Sequence, residues 1–126
     1  MKTNHASTEA FAVLDNFTAA FNRQDVAGMD ATLHFPHVYG FPGKELVIWP
    51  APPSQVAGFF ASLVASGWAF SRYTKKQVVL ATEERVHFLV EYDRCRADGS
   101  VLSKQAAIWV VACIDGRWGL QIRSNE

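Results

Sequence analysis

The sequence predicts an α+β fold, with three helices in its first half packed on a curved, mainly antiparallel sheet. Three observations carry that reading. Two Asp-Gly pairs, Asp98-Gly99 and Asp115-Gly116, lie between runs of strand-forming residues, and this dipeptide favours the tight hairpin turn whose central residues both have positive φ. Over residues 8–22, Phe11, Leu14, Phe17, Ala20 and Phe21 recur at helical spacing with Val13 beside them. A second apolar stripe, Val56, Phe59, Phe60, Leu63 and Val64, follows the rigid stretch around Pro50, Pro52 and Pro53.

Taken in order, Ser7 or Thr8 can cap the first helix, and Asn22-Arg23-Gln24-Asp25 breaks it. Asp25 can cap a short second helix through about Leu33. Pro36 disfavours helical geometry at Phe35, so that helix should end before it. Residues 38–41 and 45–49 read as short strands around Pro42-Gly43. Ser54 is a plausible cap for the third helix, and Gly67 is its natural stop. Residues 68–73 read as a connector into a strand over 75–82.

The turns then set a register. A two-residue turn at Asp98-Gly99 pairs Asp93 with Lys104, Tyr92 with Gln105 and Phe88 with Trp109. The turn at Asp115-Gly116 pairs Ile114 with Arg117, Val111 with Leu120 and Trp109 with Ile122. Because side chains alternate between faces, Val86, Phe88, Val90, Tyr92, Gln105, Ala107, Trp109, Val111, Leu120 and Ile122 share the face that packs on the helices. The other face carries Gln121 and Arg123 at its edge and an apolar centre of Leu89, Ala106, Ile108, Val110 and Ala112. An apolar patch of this kind is expected to meet a partner, here a second copy of the chain in a two-fold homodimer.

Composition bounds the function. The 126 residues suit one domain, 1–126. Zero formal net charge and 49% apolar content suggest neither disorder nor a polyanion partner. No basic stripe with interleaved aromatics points to nucleic acid. No apolar run reaches membrane-spanning length, and residues 1–8 lack the apolar core of a signal peptide. Cys95 and Cys113 do not form a disulfide framework, so a reducing cytoplasm is the expected compartment. His34-x-x-His37 is a weak metal signal because Pro36 breaks the face that would align the rings, so neither metal nor cofactor is expected.

The run Phe17-Thr-Ala-Ala-Phe-Asn-Arg-Gln-Asp25, then Leu33-His-Phe-Pro-His-Val38, then Asp115-Gly116-Arg117-Trp118 with Arg123-Ser124, resembles the nuclear-transport-factor-2-like superfamily, in its SnoaL-like branch. That resemblance implies a cone-shaped fold with a small-molecule cavity between the concave sheet face and the helices. It does not select a function, since relatives include isomerases, cyclases, dehydratases and non-catalytic binders. In the ketosteroid isomerase branch a helix Tyr and an Asp before Pro do the chemistry. The matching positions here are Phe17 and Phe41, which offer neither donor nor base.

Phe17, Phe21, Tyr39, Phe41, Trp68, Tyr92, Gln105 and Trp109 are the expected cavity lining. Tyr92 opposite Gln105 presents a hydroxyl and an amide that could hold a ligand carbonyl. For catalysis, His34 is the candidate base, with Asp30 one helical turn before it to orient the ring, or His37 as partner. The expectation is a homodimeric pocket protein holding an apolar small molecule. An isomerase, dehydratase or cyclase working through His34 is the alternative, and an association module with a filled cone is a third.

Overall fold

The computed structural model describes residues 2–55 and 57–126. Among these, helix α1 (Lys2–Asn22) and helix α2 (Val26–Ala31) precede strands β1 (Leu33–Gly40) and β2 (Val47–Trp49). Helix α3 (Phe59–Ala65) then leads to β3 (Phe70–Ala81), β4 (Arg85–Cys95), β5 (Val101–Ile114) and β6 (Arg117–Asn125). The strands form one sheet in the order β2-β1-β6-β5-β4-β3. Every neighbouring pair is antiparallel except β1 with β6. This is the expected α+β arrangement.

Helix α1 starts six residues before the expected point. Ala6 and Ala10, both fully buried, extend the stripe of Val13, Leu14, Phe17, Ala20 and Phe21 back by a turn and more; alanines carry little apolar signal in a sequence but let a helix approach a sheet closely. Asn22 ends the helix and docks it on β3: its amide donates to Ser71 O and accepts from Ser71 N–H, at 2.9 and 2.8 Å. Asp25 caps α2 as expected, with Oδ1 accepting from Gly28 N–H at 2.9 Å. That helix stops at Ala31 rather than Leu33, because Leu33 already pairs with Leu120 of β6. Pro36 falls where the β1–β6 ladder is interrupted, between Leu33 and Val38, so its missing N–H breaks no ladder bond.

Gly58, with φ of 84°, sits at the N-terminus of α3 in place of Ser54. Leu63 is buried and Phe59 and Phe60 half-buried, whereas Val64 is exposed rather than part of the stripe. Val56 lies outside the described residues. Gly67 stops the helix in a left-handed conformation, φ 107°, and Trp68 N–H returns to Leu63 O. Strand β3 begins at Phe70, so most of the expected connector is strand.

The second hairpin has the expected turn, with φ of 52° at Asp115 and 79° at Gly116. The first is longer: Gly99 N–H donates to Arg96 O and Arg96 N–H to Ser100 O, with only Gly99 at positive φ. This offsets the pairing by one residue, and an irregularity between Arg94 and Cys95 restores it. Asp93↔Lys104, Tyr92↔Gln105 and Phe88↔Trp109 therefore pair as expected.

A bulge in β6 has the larger consequence. Val111 pairs with Leu120 but Val110 pairs with Ile122, leaving Gln121 extra, so Trp109 faces Arg123 and not Ile122. A bulge reverses the alternation beyond it. Arg123 and Asn125 are thereby buried on the concave face, and Ile122 is 37% exposed on the convex one, the reverse of the sequence expectation. The convex face is also less open than expected. Val110 and Ala112 are buried within the chain and Leu89 and Ala106 half-buried, while Ile108 stays 40% exposed.

Candidate functional site

The concave face of the sheet and α1 enclose a small cavity of about 30 Å³, measured as the space open to the centre of a water molecule, enough for a few waters. Phe17 and Phe21 of α1, Phe59 of α3 and Trp109 of β5 supply aromatic walls. Tyr39, Tyr92, Arg94, Arg123 and Asn125 add the polar groups, with Ser71 and Gln55 completing the lining. Phe17 meets Trp109 edge to face at 5.6 Å, and Tyr92 packs on the same indole at 5.7 Å. The indole N–H donates to Asn125 Oδ1 at 3.1 Å, which anchors the end of β6.

Arg123 is the most constrained of these groups. Its Nε donates to His37 Nε2 at 3.0 Å, and its Cζ lies 4.6 Å from the Tyr39 ring centre and 4.9 Å from that of Phe17. A guanidinium only donates, so His37 Nε2 must be the acceptor and His37 Nδ1–H donates to Leu120 O, 3.1 Å away. Burial, and then the charge of Arg123, lower the His37 pKa to about 3, against a smaller opposing effect of the Leu120 carbonyl. Burial also weakens the hold of Arg123 on its proton, although a guanidinium keeps its charge in proteins. Arg123 Nη2 and Arg94 Nε are buried with no acceptor. Arg94 hydrogen-bonds the Tyr92 side chain, and burial is the main cause that raises the Tyr92 and Tyr39 phenols above their ordinary range.

Of the expected lining, Phe17, Phe21, Tyr39, Tyr92 and Trp109 are in place. Phe41 packs on the Tyr39 ring at 4.9 Å and does not reach the cavity. Trp68 is buried behind Phe21, its N–H donating to Ser71 Oγ. Gln105 stands opposite Tyr92, but its amide donates to Ser103 Oγ at 3.2 Å.

The three candidate catalytic residues are not assembled. Asp30 Oδ1 accepts from Ser54 N–H at 3.2 Å. His34 Nε2 lies 3.0 Å from both Ala112 O and Arg117 O, and its Nδ1 accepts from Arg117 Nη2 at 3.0 Å. His37 is behind Arg123. Gly119 makes room for the His34 ring: a Cβ there would meet His34 Cδ2 at 2.8 Å and Nε2 at 3.0 Å. Since the ring is held at both nitrogens and cannot easily retreat, Gly119→Ala should cost about 1–3 kcal/mol, read as a lower urea midpoint with an unchanged slope. An unchanged midpoint would mean that the His34 packing is loose.

Arg123 and Asn125 were hidden from sequence reasoning by the bulge. Leu120 and Ile122 are both apolar, so strict alternation looked satisfied without an extra residue, and a late-strand arginine reads as solvent-facing. Among the described residues, no group of three or more His, Cys, Asp or Glu is placed to hold a metal. Cys95 and Cys113 are free. Among the same residues, no helix is long and apolar enough to cross a membrane.

This architecture is a cystatin-like fold. No family model matches the chain, and no curated protein does. Solved structures do. A protein of unknown function with a cystatin-like fold from Nostoc punctiforme superposes with a TM-score of 0.75 at 15% identity, over 95% of this chain and 89% of that one. A nuclear-transport-factor-2-like protein with a cystatin-like fold from Novosphingobium aromaticivorans gives 0.72 at 12%, over 94% and 79%. A ketosteroid isomerase-like protein from Erwinia carotovora atroseptica gives 0.63 at 19%, over 94% and 92%. At such identities the likeness establishes the fold and leaves the chemistry to the site.

Proposed function

We propose that the chain is a small-molecule binding protein that holds a largely apolar ligand in its cone and works as a homodimer. The observation that carries the first part is the aromatic-walled cavity left open beside an otherwise packed core. Binding is favoured over catalysis by the lining itself. Its ionisable groups are Tyr39, Tyr92, Arg94 and Arg123, and none of these residue types changes charge near neutrality. A base built on His34 with Asp30 or His37 has less support, because hydrogen bonds within the chain already engage all three. The association-only reading has less support too, since Phe17, Phe21 and Trp109 leave the cone partly open.

The dimer reading rests on the convex face, where Ile108 and Ile122 are exposed beside half-buried Leu89 and Ala106; burying such a patch against its own copy removes apolar surface from water. Native mass spectrometry of freshly purified protein tests both parts. A dimer that retains an additional small mass per chain is expected, and Ile108→Asp should yield monomers. A wild-type monomer would remove the dimer from the proposal, and a cone that takes up no small molecule when challenged would remove the pocket.

A further inference from the structure

We propose that the ligand of this cone is a small aromatic monocarboxylate, its ring against the aromatic walls and its carboxylate on Arg123 and Arg94. The inference deepens the pocket reading above and rests on it. Among the described residues three buried side-chain polar atoms have no hydrogen-bond partner, Ser54 Oγ, Arg123 Nη2 and Arg94 Nε, and the last two are cationic donors. Both of these belong to guanidinium groups that line the cavity. Arg123 is 95% hidden from solvent, and its other contacts are a neutral imidazole and two ring faces. Among the described residues neither arginine takes part in an ion pair.

The opposite face of the same strand shows how this sheet treats a buried charge when no ligand is involved. Asp93, next in sequence to Arg94, is almost fully buried and lies between Arg72 and Lys104, at 3.6 and 3.5 Å. The buried charge of Asp93, outside the cone, is thus matched within the chain. The charges inside the cone are both positive, and no Asp or Glu lines the cavity.

An unmatched buried cation is strongly unfavourable unless an anion and hydrogen bonds compensate it. A neutral hydrocarbon in the cone would leave both guanidinium groups as they are. A carboxylate has two oxygens with lone pairs for planar N–H donors, the geometry in which arginine binds most strongly. His37 assists by fixing the plane of Arg123: it takes the Nε–H and cannot compete for the Nη2 edge. The aromatic walls select the rest of the ligand, since an unsaturated ring stacks on Phe17 and Trp109 better than a polar chain would.

Isothermal titration calorimetry of the full chain at pH 7.5, in low-chloride buffer, tests the assignment. The probes are benzoate, trans-cinnamate and phenylacetate, each compared with its own amide. The amide has the same shape and lacks the charge. At least one acid should bind about tenfold or more tightly than its amide. Arg94→Gln should narrow that ratio, and because Arg94 is only half-buried this variant avoids the folding risk of replacing Arg123. Amides that bind as tightly as their acids would overturn the carboxylate assignment and leave the pocket reading intact. If neither acids nor amides bind, the pocket reading itself fails, and the assignment with it.

Discussion

The protein should lose stability steeply as pH falls below about 6.5, and His37→Gln should remove a large part of that loss. The folded-state pKa of His37 is lowered to about 3 from an ordinary value of 6.5. Between those two values the unfolded chain binds a proton at this site that the folded chain refuses. Stability contributed by the neutral imidazole is therefore complete above about pH 6.5 and is lost progressively down to about pH 3. The full span corresponds to roughly 4–5 kcal/mol, comparable with the whole stability of many domains of this size. The cause is local. A protonated His37 would have no acceptor for Arg123 Nε, and two cations would stand 3.0 Å apart in a buried site.

Glutamine at this position offers an acceptor oxygen and an N–H but does not titrate. Urea unfolding of the two proteins from pH 7.5 down to pH 4.5 should give stability curves that diverge by up to about 1.4 kcal/mol per pH unit in the middle of that range. Every other titrating group is common to both proteins and cancels in the difference. Parallel curves would show that His37 is not held neutral against Arg123.

Much of the fold was legible because its signals are local. Phe11 to Phe21 announce a helix by spacing alone, Asp25 caps the next one, and Asp115-Gly116 adopts the turn its residue types favour. The register of Tyr92 and Phe88 also emerged as expected, though through two departures that cancel, a longer loop at Gly99 and an irregularity beside Cys95. What was not legible depends on contacts distant in sequence. Leu33 becomes strand instead of helix because β6 lies beside it. Ser71 and Tyr73 become strand because Asn22, Tyr92 and the helix give them partners. The site suffered most. Tyr92 and Trp109 could be aimed by counting from turns, but Arg123 and Asn125 lie beyond a bulge at Gln121 that leaves no mark in the apolar pattern. The buried arginine and asparagine of the cone therefore came from the structure.

Trp109→Ala should lower stability by about 3–5 kcal/mol, the usual range for truncating a buried aromatic to Ala. Trp109 is nearly inaccessible and packs against three rings at once, Phe17, Tyr73 and Tyr92, at 5.6, 6.3 and 5.7 Å. Those contacts join α1, β3 and β4 across the concave face, so their loss cannot be absorbed by one neighbour moving inward. Trp109→Phe separates packing from hydrogen bonding. It keeps an aromatic ring but leaves Asn125 Oδ1 without its donor, for about 1–3 kcal/mol. Chemical denaturation should therefore rank wild type above Trp109→Phe, and Trp109→Phe above Trp109→Ala. Equal stability of Phe and wild type would show that the Asn125 bond contributes nothing, and a stable Ala variant would mean that the ring contacts of the indole contribute little. The ranking bears on the site because Asn125 and Arg123 follow the same bulge. Trp109 holds that end of β6 through Asn125, and His37 holds it through Arg123. The direction in which the buried guanidinium points is thus set from both sides of the strand.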